Sequence, residues 1–163
     1  MWQPVMTRTR MTTDQAQTTA ADSPDAKAVD VPDGFRHWHG DRAEDHNGPF
    51  FFRLEGDDIV TAFRVRPENC NAHNTLHGGI LMMFADYTLC LAAIGGTHEG
   101  VVTVTCNNEF VGPAFDGDLV TGRGEVTRKG GSLIFARAVI EANGKTILTS
   151  SGVLKRVPHP SAS

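Results

Sequence analysis

Fifteen residues from Ile80 to Ile94 include only three that are not apolar, Asp86, Tyr87 and Thr88. The run is too long for an ordinary strand and too short to span a bilayer. It predicts a helix that is apolar all round and therefore buried. Gly78-Gly79 open it and Gly95-Gly96 close it. The pattern on either side is that of strands and turns. Phe50 to Leu54 reads as a strand and Gly56-Asp57-Asp58 as a turn. Ile59 to Arg66 reads as a second strand, with Ile59, Thr61, Phe63 and Val65 on one face and Pro67 ending it. The Asn-rich stretch from Glu68 to Leu76 reads as non-regular. Beyond the helix, Val101–Phe110, Asp118–Lys129, Ser132–Glu141 and Lys145–Arg156 read as four strands. Gly130-Gly131 and Asn143-Gly144 supply hairpin turns, the latter of type I′. Ile134, Ala136, Ala138 and Ile140 alternate, which marks one buried face. One buried helix with a run of antiparallel strands predicts an α+β domain, a sheet wrapped on a helix.

The amino-terminal residues 1–31 lack this pattern. They are rich in Thr, Ala, Asp and Gln with almost no large aliphatics, so they cannot bury enough apolar surface to offset the entropy of ordering. A flexible tail is expected there, then one domain over residues 32–157, then a short tail over 158–163. The segment from Phe35 to Asn47 is polar and carries His37, His39 and His46. Neither helical i,i+4 histidines nor a nearby Cys pair supports a metal site. Phe35 and Trp38 are expected to pack onto the domain.

The chain has 163 residues, of which 40% are hydrophobic and 21% charged. That is one globular domain in length and class. The net charge of -4 argues against a nucleic-acid or anionic-membrane binder, which needs a basic surplus. No run of eighteen apolar residues exists to form a transmembrane helix. Cys70, Cys90 and Cys106 cannot all pair with one another. Free thiols in a reducing, cytoplasmic setting are the simplest expectation.

The candidate chemistry gathers at the helix start. Gly78-Gly79 offer backbone N–H groups at the positive end of the helix dipole, and their bare Cα atoms let a carbonyl approach. Asp86 is a carboxylate in an otherwise apolar helix, a costly placement unless it is paired or has a function. The run Asn71-Ala72-His73-Asn74-Thr75-Leu76-His77-Gly78-Gly79, with Asp86 seven residues on, resembles the hotdog-fold acyl-CoA thioesterases of the phenylacetate-degradation type. Their pattern is Asn-x-x-Gly-x-x-His-Gly-Gly and a spaced Asp. The resemblance extends over roughly residues 49–156, through Val102-Thr103-Val104, Phe110 to Asp118 and the turn from Arg128 to Ser132. Asn74 stands where the family usually has Gly, and Asn is the non-Gly residue that best accepts positive φ.

The resemblance implies a hotdog fold and hydrolysis of a small or medium acyl-CoA or aryl-acyl-CoA, with no metal or redox cofactor. It implies Gly78 N–H as oxyanion donor and Asp86 as general base or nucleophile. Asn71 and Thr103 would position the reactants, and His77 and Gly79 would line the thioester end. Arg128, Lys129 and Gly130 form a basic hairpin that could meet a coenzyme A phosphate. Gly78 and Asp86 are eight residues apart, about 12 Å along a helix. One thioester cannot touch both in one chain, so a homodimer is expected, with the family's dimer of dimers as a further possibility. The alternative expectation is a non-catalytic acyl-CoA-binding module of the same fold.

Overall fold

The computed structural model describes residues 30–38, 41–95 and 100–158. Residues 1–29 of the tail expected over 1–31, and the last five residues, lie outside the described residues. Seven antiparallel strands form one sheet. They are β1 (Arg36–His37), β2 (Phe51–Glu55), β3 (Asp58–Arg64), β4 (Gly100–Phe110), β5 (Leu119–Lys129), β6 (Leu133–Ala142) and β7 (Lys145–Val157). Their order across the sheet is β1-β2-β3-β5-β6-β7-β4. A six-residue helix, α1 (Arg42–Asn47), precedes β2, and the long helix, α2 (Gly78–Ile94), joins β3 to β4. The α+β arrangement expected from the pattern is the one observed, with α2 lying on one face of the sheet.

Most strand limits agree with the hydrophobic pattern within one or two residues. Ile134, Ala136, Ala138 and Ile140 all point into the core. Asn143 and Gly144 both have positive φ, 52° and 71°, as a two-residue primed hairpin turn needs. Three differences have physical reasons. First, β3 is buried on both faces. Thr61, Phe63 and Val65 face α2, while Val60 and Ala62 pack in a second cluster with Val31, Phe35 and Phe51. The lead-in segment thus covers the outer face of this end of the sheet, with the Arg53 guanidinium stacked 4.5 Å over the Phe35 ring. Trp38 does not join it and stays 59% exposed. Second, Gly78 and Gly79 are the first two residues of α2, not its flank. Third, residues 67–76 are ordered by a 3₁₀ turn at Pro67–Asn69 and by bridges pairing Cys70 with Leu76 and Thr75 with Phe115.

The helix sits close to the sheet because three strand positions lack a side chain. A Cβ on Gly122 would come within 2.5 Å of Thr61 Oγ1 and 2.7 Å of Thr88 Oγ1. One on Gly124 would meet Ala92 Cβ at 2.7 Å and the Thr88 carbonyl at 3.0 Å, and one on Gly152 would meet Leu89 Cδ1 at 2.9 Å. The polar atoms trapped at this seam satisfy one another. Thr88 Oγ1 donates to the Phe84 carbonyl at 2.8 Å and lies 2.7 Å from Thr61 Oγ1. Phe50, Phe63, Phe84 and Tyr87 fill the neighbouring space in mostly edge-on and tilted ring contacts. Replacing Gly124 by alanine should cost about 1–3 kcal/mol of stability in urea unfolding, with strand content unchanged by circular dichroism. An unchanged midpoint would show that α2 does not rest on this floor.

Candidate active site

The loop before α2 is built by side chains that bond their own backbone. Asn71 Oδ1 accepts from the N–H of His73 at 2.8 Å and of Thr75 at 3.3 Å, and Asn71 Nδ2 donates to Thr75 Oγ1 at 2.9 Å. Asn74 takes φ 57°, the left-handed conformation that Asn accepts in place of Gly. The Asn71 side chain is therefore engaged in its own loop. His77 caps the helix: its Nδ1 accepts the Gly79 N–H at 2.9 Å. A ring nitrogen that accepts carries no proton, which leaves Nε2–H as an outward donor. The His77 carbonyl takes the N–H groups of Ile80 and Leu81 at 3.0 and 3.1 Å. Among the described residues, the Gly78 N–H has no acceptor. It is the free donor at the positive end of a 17-residue helix. The Phe110 ring lies against it, 3.3 Å from where a Gly78 Cβ would be.

Asp86 sits in the middle of α2, and β4 brings Thr103 to it. Thr103 Oγ1 donates to Asp86 Oδ1 at 2.7 Å. Cys90 Sγ lies 3.6 Å from the same hydroxyl oxygen. Since the Thr103 proton points to the carboxylate, the thiol is the donor in that second contact. Burial and the Asp86 charge push the Cys90 thiol up to about 12, so it stays protonated and is a poor nucleophile near neutrality. Gly79, Met83, Asp86 and Cys90 recur at helical spacing and form one stripe along α2. That stripe is only partly covered, and Met82 beside it is 44% exposed. A helix predicted to be buried on all sides is thus open on one side in the single chain.

Arg128 and Lys129 end β5, and Gly130 N–H donates to the Leu133 carbonyl at 2.8 Å in the turn. Arg156 joins this tip, its Nη1 donating to the Gly131 carbonyl at 2.8 Å. Val101 pairs with Arg156, so the tip is at the β4 start, toward the C-terminal end of α2. The expected residues therefore fall into separate groups in one chain. Asp86 and Thr103 meet. Gly78, Gly79 and His77 meet at the helix N-terminus, and Arg128, Lys129 and Gly130 lie at the far end of the sheet.

Sequence reasoning missed one group. Glu44 on α1 is half-buried, and its carboxyl is pushed up to about 7 by burial first, then by the charges of Asp41, Asp45 and Asp86, against an opposing pull from His37. A signal was present: Asp41 precedes Glu44 by three residues, as in a capping box. Asp41 Oδ1 indeed accepts from the N–H groups of Ala43 and Glu44 at 3.0 and 3.2 Å. The histidines drew attention from it. Of these, His37 is a strut, with Nδ1 2.7 Å from the Phe50 carbonyl and Nε2 2.7 Å from Asp45 Oδ1. His39 lies outside the described residues.

Comparison with known proteins places this geometry in context. Residues 73–148 match the family model described as thioesterase superfamily. The acyl-coenzyme A thioesterase PaaI of Escherichia coli K12 is 27% identical over 106 residues, 63% of this chain and 73% of that protein. The solved structure of the E. coli PaaI protein from the phenylacetic acid degradation operon superposes with a TM-score of 0.65 at 23% identity, covering 72% of this chain and 86% of that one. A hypothetical thioesterase from Streptococcus pneumoniae TIGR4, solved with coenzyme A, gives 0.62 at 18% identity over 69% and 91% of the two chains. None of the described helices is long and apolar enough to cross a membrane.

The Glu44 shift has a stability consequence. Between about 4.5 and about 7 the folded chain holds a proton there that the unfolded chain has released, so stability falls as pH rises through that window. Glu44→Gln removes the effect. Its melting temperature relative to the native protein should climb from below pH 4.5 to above pH 7 and then level off. An offset constant across that range would show that Glu44 is not held protonated.

Proposed function

We propose that this chain, a hotdog-fold protein of the thioesterase superfamily and a thioester hydrolase, cleaves a small or medium acyl-CoA or aryl-acyl-CoA at a site shared by two subunits. The observation that carries the reading is the Asp86–Thr103 hydrogen bond of 2.7 Å on an otherwise apolar helix. With Oδ1 held by the hydroxyl, the second carboxylate oxygen takes a proton from the attacking water. Negative charge then develops on the thioester oxygen, where the unoccupied Gly78 N–H stabilises it. The tetrahedral intermediate collapses by breaking the C–S bond, with the electron pair leaving on sulfur. His77 Nε2–H and Gly79 line the thioester end, and Asn71 keeps the loop in register. Arg128, Lys129 and Gly130, beside Arg156, meet the anionic nucleotide. Neither a metal nor a redox cofactor enters these steps.

The stripe on α2 supports the shared site. A twofold axis that brings Gly78 of one helix to Asp86 of an antiparallel copy passes beside the residue midway between them, Met82. That side chain is the large exposed apolar group of the helix. Strand β4, which touches α2 through Thr103 and Phe110, ends the sheet with Val102 and Val104 exposed and an unpaired edge. A second copy placed there covers both. The alternative, a non-catalytic acyl-CoA-binding module, gives no use to a hydroxyl-oriented carboxylate.

An acyl-CoA panel with free-thiol detection tests reaction and substrate together, and turnover is expected. Asp86→Asn should lower turnover by about 10²–10⁴-fold with a modest change in binding; an unchanged rate would favour the binding module. Met82→Lys sets two like charges on the axis. It should give a folded, inactive monomer by sedimentation and circular dichroism. A monomer with full activity would overturn the shared site.

A further inference from the structure

We propose that Cys90 is a positioning residue of this reaction: its thiol, donating to Thr103 Oγ1, holds the hydroxyl proton of Thr103 on Asp86 Oδ1. The inference rests on the reading of Asp86 as the base and adds what keeps that base aimed.

Three side chains form one run of contacts. Thr103 Oγ1 donates to Asp86 Oδ1 at 2.7 Å, and Cys90 Sγ lies 3.6 Å from the same hydroxyl oxygen. Asp86 and Cys90 are four residues apart on α2, so one turn of helix presents both to the strand. The strand is shaped to meet them. Thr103 pairs with Leu154, whose buried side chain marks the helix side of the sheet. The next pair is Thr105 with Val153, so Val104 is an extra residue in β4. Such a bulge bends a strand and re-aims the side chain beside it. The other two thiols are engaged elsewhere. Cys70 Sγ donates to the Arg66 carbonyl at 3.7 Å, and Cys106 Sγ lies 3.6 Å from Ser150 Oγ.

The direction of each bond follows from what the groups can do. A carboxylate only accepts, so the Thr103 proton goes to Asp86. That leaves the hydroxyl oxygen with lone pairs, and a half-buried thiol that stays protonated can fill one of them. A hydroxyl with a single partner turns about its C–O bond, and Thr103 is exposed on an edge strand where water competes for its proton. A second partner on the oxygen removes that freedom. An oxygen that accepts a hydrogen bond is also a stronger donor through its own proton. Oδ1 of Asp86 thus stays committed to Thr103, and the other carboxylate oxygen is the one turned to the attacking water. Cys90 itself touches neither water nor substrate in this scheme and acts only through Thr103.

The test pairs kinetics with a vibrational measurement that needs no substrate. On an acyl-CoA that the native protein hydrolyses, Cys90→Ala should lower kcat about three- to tenfold with KM unchanged, and Cys90→Ser should recover part of the loss. Thr103→Val should lower kcat further. Adding Cys90→Ala to Thr103→Val should then change nothing more, because the thiol works only through that hydroxyl. In infrared difference spectra against Cys90→Ala, the Cys90 S–H stretch should lie at the lowered frequency of a hydrogen-bonded thiol, and it should rise in Thr103→Val. An unaltered kcat in Cys90→Ala overturns the proposal, as do losses that add in the double variant or an S–H stretch indifferent to Thr103→Val. Should Cys90→Ala not fold, Cys90→Ser takes its place as the spectral reference and the S–H stretch decides. A native protein that hydrolyses no member of the panel fails the thioesterase reading instead, and the S–H stretch still judges the Cys90–Thr103 contact.

Discussion

An α-helix that is apolar around its whole circumference must be covered around its whole circumference, and α2 sets that requirement for everything near it. One side is met within the chain. Gly122, Gly124 and Gly152 remove three side chains from the sheet, and Leu89, Thr88 and Ala92 settle onto the bare backbone. A second side is met by Phe50, just before β2, and Phe63 of β3, both against Phe84, with Phe50 also against Tyr87. The third side, from Gly79 through Met83 and Asp86 to Cys90, is left partly open. The one carboxylate of the helix is on that open side. With Asp86 as the proposed base, the surface that would take a partner and the surface that would carry the chemistry are the same.

What could be read from the residues is what local rules govern. The fifteen-residue apolar run, the Ile134–Ile140 alternation and the Asn143-Gly144 turn each announce their own geometry. The pairing of Asp86 with Thr103 was legible only through resemblance, since nothing local in either segment says that β4 returns beside α2. The sheet glycines passed unnoticed for the same reason: a glycine in a strand shows its purpose only against the helix above it. Trp38 misled because a large aromatic is usually buried, whereas the covering of the outer sheet face is completed by Val31 and Phe35. Glu44 was hidden behind its histidine neighbours although its capping partner Asp41 was in plain view.

Charge is distributed in a way that net charge alone conceals. Asp41, Glu44, Asp45 and Asp86 gather around α1 and the middle of α2. Arg128, Lys129 and Arg156 gather at the β5–β6 tip, where backbone carbonyls and a tight turn hold Arg156. On the function proposed above, an acyl-CoA, anionic at its nucleotide end and neutral at its reacting end, would find opposite surroundings at its two ends.

The sheet order β1-β2-β3-β5-β6-β7-β4 also says something about how the molecule comes into being. Hairpins β2–β3, β5–β6 and β6–β7 join neighbours in sequence and close over short loops. Strand β4 instead pairs with β7, setting Thr103 opposite Leu154, across about fifty residues of chain. Non-local pairings are slow to form because loop closure precedes any reward. The partner of Asp86 is thus carried on a strand with a long search, though the β3–β5 pairing of Val60 with Arg123 spans more of the chain, and until β4 docks, β7 shows a bare edge to other chains. The Asp86–Thr103 contact and the covering of the β7 edge therefore form in the same step.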